Sequence, residues 1–114
     1  MSCFDRYAVV RVPFPFTDRQ TRKRRPAVVL SPAAFQQDCG HLLLAMITSA
    51  QRSRWPLDWA IDDLQAAGLT QPCLVRFKIF TLDERLVLGS IGALAPTDRA
   101  GVATGLSTLL PSPG

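Results

Sequence analysis

Three short apolar runs constrain the fold of this 114-residue chain more than any other feature: Pro26–Ser31, Leu42–Thr48 and Leu74–Phe80. The first two are continuous and end in hydroxyl residues. The third alternates apolar and basic positions. Runs of this length and composition read as strands, and the second is apolar enough to be buried on both faces. Residues Arg6 to Val12 add a first strand, with Pro13 and Pro15 ending it or confining it to an edge. Leu57–Ile61 reads as a short strand, and Val87–Leu94 as a strand in which Gly89 and Gly92 mark bulges or a tight corner. Thr17–Lys23 and Ala50–Arg54 are polar and read as loops. Helical signals are few. Pro32–Gly40 is a connector with one helical turn, and Asp62–Ala67 is one or two helical turns closed by Gly68. At the C-terminus Thr97 caps a helix and Asp98 suits its positive end. Val102, Leu106, Leu109 and Leu110 follow at helical spacing, and Pro111 and Pro113 stop the helix. The pattern predicts one domain over residues 1–114. It is mainly β (α+β): a small, partly closed barrel with a C-terminal helix.

Charge bears on what such a barrel would bind. The net charge is +4, and five of the thirteen cations fall between Arg19 and Arg25. A polyanion, either a nucleic-acid backbone or an acidic protein tail, would be drawn to that stretch, less strongly as salt rises. No apolar run approaches the roughly 18 residues of a membrane span. Asp5 and Arg6 interrupt any signal-peptide pattern, so a cytoplasmic location without membrane contact is expected. Cys3, Cys39 and Cys73 are too few and too scattered for a disulfide framework or a zinc site, and read as small buried hydrophobes. His41, beside Gly40, reads as an exposed turn residue, and one histidine cannot supply a catalytic pair within one chain.

The cationic stretch runs straight into an apolar strand, which puts Arg25 at the strand mouth. A guanidinium fixed there suits a bidentate anion such as phosphate. Other constellations are weaker. Asp58, Asp62 and Asp63 read as a solvated acidic face rather than a magnesium site. Ser31, Thr48 and Ser49 lack the histidine and carboxylate partners of a serine hydrolase. Phe14 and Phe16 either pack or lie under a bound base. Trp55 and Trp59, near Arg52 and Arg54, either stack on bases or sit at a protein contact.

Taken in order, Val12-Pro13-Phe14-Pro15-Phe16-Thr17-Asp18, Arg24-Arg25-Pro26-Ala27-Val28-Val29-Leu30-Ser31, Ala45-Met46-Ile47-Thr48-Ser49, Ala67-Gly68-Leu69, Val75-Arg76 and Thr81-Leu82-Asp83 resemble the MazF/PemK family of toxin ribonucleases. The resemblance implies an SH3-like barrel, dimeric, with a C-terminal helix. It implies the toxin of a type II toxin–antitoxin pair that cuts single-stranded RNA (mRNA) at a short sequence, without metal or cofactor. The 2′-hydroxyl of the RNA would attack the adjacent phosphate, leaving a 2′,3′-cyclic phosphate and a 5′-hydroxyl. Arg25 and Thr48 match the family's arginine and threonine at the scissile phosphate. Arg22, Lys23, Arg24, Ser49, Arg52, Arg54, Arg76 and Lys78 are the RNA-binding candidates. The partner implied is a cognate antitoxin with an acidic disordered tail. Lys78 stands where one branch of the family carries an acidic residue, so the general base is unassigned; a lysine there suits a phosphate clamp. A rival reading is a non-catalytic module of the same fold, since a related barrel family poisons DNA gyrase by protein contact.

Overall fold

The computed structural model describes residues 3–14, 23–50 and 54–113. Six strands form one antiparallel sheet: β1 (Ala8–Phe14), β2 (Lys23–Val29), β3 (His41–Ser49), β4 (Trp59–Ala60), β5 (Cys73–Asp83) and β6 (Gly89–Ala93). Their order across the sheet is β4-β5-β3-β2-β1-β6. Among the described residues three α-helices accompany them, α1 (Ala33–Cys39), α2 (Leu64–Ala67) and α3 (Pro96–Leu109), with a 3-10 turn at Glu84–Leu86. The sheet curls into a half-barrel with the C-terminal helix packed on it, as expected. Helix α2 leaves the β4 edge and lies against β6 at the other edge. There Gly68 has φ +76 and Gly92 faces the α2 backbone so closely that a Cβ at either would strike main chain.

Alternation along the strands buries both faces. Val9, Val28, Ala45, Ile47, Val75 and Phe77 share one core with Leu94 and with Val102 of α3. Val10, Val12, Ala27, Val29, Leu42, Leu44 and Leu82 form the second core on the opposite face. Two bulges adjust this pattern. One lies opposite Val9/Val10 of β1, where β6 has Ile91 as an extra residue, so the expected irregularity in the glycine-bearing strand is observed. The other inserts Phe77 and Lys78 on β5 between the pairs Ala45↔Ile79 and Met46↔Arg76.

Several boundaries differ from the sequence reading. β1 runs on through Pro13 to Phe14. Leu88 N–H donates to Arg11 O, so the odd residues here face β6, and the absent N–H of Pro13 falls beyond the last β1–β6 pair at Arg11↔Gly89. β2 begins at Lys23, so Lys23 and Arg24 are strand residues and Arg25 is the third residue of the strand, not its mouth. α1 has seven residues, about two turns. Of the expected Leu57–Ile61 strand, Trp59 and Ala60 pair with β5 and Ile61 N–H donates to Cys73 O, while Leu57 and Asp58 belong to the Trp55–Asp58 turn. α3 starts at Pro96 after Ala95 with no side-chain cap, so Thr97 does not cap it; proline's preset φ begins the helix earlier. Leu109 and Leu110 are exposed rather than core. Cys39 is also exposed, and Cys3 and Cys73 are only half-buried. Among the described residues no helix is long and apolar enough to cross a membrane.

Candidate anion-binding cleft

Pairing between β2 and β3 covers Ala27–Val29 against Leu44–Met46 and stops there. The cause is legible in the ladder. In an antiparallel strand both main-chain groups of a residue point to the same neighbour, and alternate residues serve alternate neighbours. Leu30 N–H donates to Leu43 O, whereas Val29 O accepts from Tyr7 N–H. Even-numbered residues of β2 therefore face β3. Pro26 is one of them and has no N–H to give. Meanwhile β1 stays paired to β2 out to Phe14↔Lys23, and β3 to β5 out to Ser49↔Cys73. A cleft opens between β2 and β3, with Arg25 on one wall and Thr48 on the other.

Both residues line two adjoining hollows. One, of about 280 Å³, is bounded by Phe14, Arg25, Met46, Thr48, Trp55, Arg76 and Lys78. The other, of about 360 Å³, includes Arg11, Arg24, Arg25, Thr48, Ser49, Thr70 and Gln71. Alternation puts Arg76 and Lys78 on the face of the first hollow, because the two-residue bulge keeps the period of β5 intact while Val75 and Phe77 stay in the core. The Arg25 guanidinium carbon lies 5.8 Å from the Phe14 ring centroid, and Lys78 Nζ lies 5.5 Å from the same ring. The buried Nε of Arg25 has no hydrogen-bond partner among the described residues. An unmet buried donor on a cation is costly until an anion meets it. Among the described residues Arg76–Asp58 and Arg85–Asp83 are ion pairs, and no described carboxylate pairs with Arg11, Arg24, Arg25 or Lys78.

The remaining candidates divide. Ser49 and Arg24 border the second hollow. Lys23, with Arg24, also borders a separate hollow formed with Pro13, Arg85, Leu86 and Leu88. Arg54 is exposed at the Trp55 turn. Arg22, Arg52 and Phe16 lie outside the described residues. Arg76 is nearly buried, and Asp58 holds its guanidinium. Asp58 consequently does not belong to a solvated acidic face with Asp62 and Asp63. Burial raises its carboxyl, but the Arg76 bond, the Trp55 N–H and the charges of Arg76 and Arg54 outweigh that and leave it below the usual carboxylate range. Trp59 is not a stacking residue either, since its indole N–H donates to Asp98 at 2.9 Å. Ser31 is buried and its hydroxyl accepts from Leu43 N–H. Cys73 borders the second hollow, and burial pushes its thiol up, away from nucleophilic thiolate. His41 opens β3 at the end away from Thr48, about 23 Å away at roughly 3.3 Å per residue. It is exposed and does not reach the cleft within one chain.

Sequence reasoning missed Arg11 and Met46 as cleft residues and Asp58 as the partner of Arg76, and left Trp55 between base stacking and a protein contact. Arg11 stands opposite Pro26 in the β1–β2 register, one pair along from Val12↔Arg25, a placement that appears only once the strands are paired.

The fold and the cleft define a small antiparallel half-barrel that brings arginines and a hydroxyl to one cleft. Comparison with known families is specific: the model for the PemK-like, MazF-like toxin of type II toxin–antitoxin systems matches residues 5–110, and the chain belongs to that family. Solved structures share the fold. The MazE–MazF complex of Deinococcus radiodurans superposes with a TM-score of 0.76 at 24% identity, covering 96% of this chain and 97% of that one. An endoribonuclease in complex with its cognate antitoxin, from a mycobacterial species, gives 0.75 at 18% identity, over 100% and 99% of the chains. The Mycobacterium tuberculosis toxin MazF-mt6 gives 0.72 at 18% identity, over 94% and 99%. No curated protein sequence matches the chain.

Proposed function

We propose that this chain is the toxin of a type II toxin–antitoxin pair and acts as an endoribonuclease on single-stranded RNA in the cytoplasm, as a homodimer. The observation that carries the reading is the pairing of Arg25 with Thr48 at the cleft where the two hollows meet, with a buried Arg25 Nε still unmet. A phosphate seated there receives the guanidinium on one side and a hydroxyl on the other. In the reaction the 2′-oxygen bonds to phosphorus as its proton leaves, and the bond to the 5′-oxygen breaks with that oxygen taking up a proton. The products are a 2′,3′-cyclic phosphate and a 5′-hydroxyl. Arg25 and Thr48 stabilise the charge that builds on the phosphate oxygens. Arginine stays protonated and so is a poor base; proton removal falls to a group the chain does not identify.

Arg11, Arg24 and Ser49 extend the phosphate track into the second hollow, and Lys78 extends it into the first, with Lys23 and Arg54 adding exposed cations. This donor set repels divalent cations, which favours metal-independent cleavage. The same surface suits the acidic disordered tail of a cognate antitoxin, which would compete with RNA. The test is incubation of purified protein with mixed RNA in EDTA, followed by mapping of both new ends. Cyclic phosphate and 5′-hydroxyl termini are expected. Cleavage that stops on chelation and returns with Mg²⁺ overturns the mechanism, and intact RNA favours the gyrase-poisoning type of binding module.

A further inference from the structure

Trp55 is 42% exposed and borders the same hollow as Arg25, Thr48 and Lys78. Its position is fixed from several directions. Trp55-Pro56-Leu57-Asp58 is a turn closed by Asp58 N–H donating to Trp55 O at 3.3 Å. Proline stands second, and Leu57 stands third with φ +69. That is the pattern of a type II turn, in which the third position ordinarily takes glycine or asparagine. Leu57 holds the left-handed conformation while its side chain packs against the core shared with α3. Strain of this kind persists where the surroundings over-determine it, and it gathers at functional sites.

The carboxylate of Asp58 completes the clamp. It accepts Trp55 N–H at 2.8 Å, Arg76 Nε at 3.3 Å and Arg76 Nη2 at 3.0 Å. The Arg76 guanidinium carbon then lies 5.2 Å from the Trp55 ring centroid, within range of a cation–π contact. Asp58 thus fixes the tryptophan through its backbone and through the cation beside its ring. An exposed indole held this firmly at the rim of a cationic cleft loses little freedom when a flat ligand lies on it.

We propose that Trp55 is the stacking platform for the base of a nucleotide flanking the phosphate on Arg25 and Thr48, and that the Asp58–Arg76 pair is its positioning device. This rests on the RNA reading above and adds a base-binding residue to it. Every base has a π-face, so the platform contributes affinity and register rather than a choice among bases.

The test uses an RNA oligonucleotide spanning the mapped cut, with a 2′-deoxy scissile nucleotide to block cleavage and an abasic substitution placed at each flanking position in turn. With the wild-type protein, one abasic position should weaken binding roughly ten-fold. Trp55→Ala should weaken binding of the intact oligonucleotide by a similar factor and show no further loss at that abasic position. Trp55→Phe should keep most of the affinity, and far-UV circular dichroism of each variant checks the fold. Asp58→Asn should reduce the wild-type abasic effect while kcat on cleavable RNA changes less than KM. Equal abasic losses in wild type and Trp55→Ala at every position overturn the proposal. So does a Trp55→Ala protein that loses its oligomeric state without such coupling, because the ring then belongs to a protein contact. Failure of the wild type to cut any RNA sinks the functional reading instead, so the two failures are distinguishable.

Discussion

The indole N–H of Trp59 donates to the Asp98 carboxylate at 2.9 Å, joining β4 to the first turn of α3. Asp98 is fully buried and also accepts Asp62 N–H at 2.8 Å and Asp63 N–H at 3.0 Å. One carboxylate thereby satisfies three donors and seats the helix on the half-barrel. Burial raises its pKa, but these donors outweigh the burial and hold the group below its ordinary 3.8.

The sign of the resulting pH dependence follows directly. A carboxyl depressed in the folded state stabilises the fold fully above its unfolded value and loses that contribution as pH falls through the folded value. Asp58 is depressed as well. Stability should therefore fall with decreasing pH below about 4. Asp98→Asn puts an amide N–H₂ against a donor and should cost about 2 kcal/mol at neutral pH. It should also flatten the acid limb of the stability curve. Urea unfolding from pH 3 to 7 measures both; an unchanged acid limb in Asp98→Asn would remove Asp98 as its source.

Gly101 lies one turn on from Asp98, against the Trp59 ring, and Gly105 lies against the Phe77 ring. Alanine is intrinsically better in a helix by about 1 kcal/mol. At Gly101 the new methyl meets a ring locked by its bond to Asp98, and overpacking of this kind typically costs about 1–3 kcal/mol. Gly101→Ala is expected to lower the thermal midpoint despite the gain in helix propensity. A raised midpoint would show that the helix can shift away from Trp59 at little cost.

These two contacts also mark what the sequence could disclose. Strands appeared as short runs because alternation and punctuation are local, and Gly68 ended α2 as its position implied. Arg25 and Thr48 were found through ordered motifs, and the structure brings them to one cleft. Trp59 and Asp98 are 39 positions apart, and Arg76 and Asp58 are 18 apart. Their roles depend on which residues a curled sheet brings together, so Trp59 stayed open between base stacking and a protein contact, and Asp98 passed for a helix-dipole residue. The splay between β2 and β3 lay in the sequence as Pro26, but its effect depends on which neighbour the missing N–H would have served.

Arg25 is the most direct point of attack on the proposed chemistry. Removing a charged donor that stabilises a transition state costs about 10²–10³ in rate. Arg25→Ala should nearly abolish RNA cleavage, and with its Nε unmet in the free protein, the substitution should leave the thermal midpoint unchanged or raised. Arg25→Lys should rescue poorly, because an ammonium cannot make the bidentate contact. A fully active Arg25→Ala protein would end the assignment.

Thr48 and Lys78 border the same hollow and should fail in different ways. Thr48 sits at the cleft opposite Arg25, so its hydroxyl should matter mostly as charge develops on the phosphate. Thr48→Val keeps the branched shape and removes the donor; kcat should fall far more than RNA affinity, and Thr48→Ser should keep substantial activity. Lys78 is exposed, and its Nζ rests over the Phe14 ring rather than on a carboxylate. A mobile point charge there binds phosphate without needing the transition state. Lys78→Ala should weaken binding and lower the slope of log affinity against log salt by about one unit, as expected for one lost phosphate contact. A steep loss of kcat in Lys78→Ala at unchanged affinity would reverse the two roles. Lys78 would then be the missing proton acceptor.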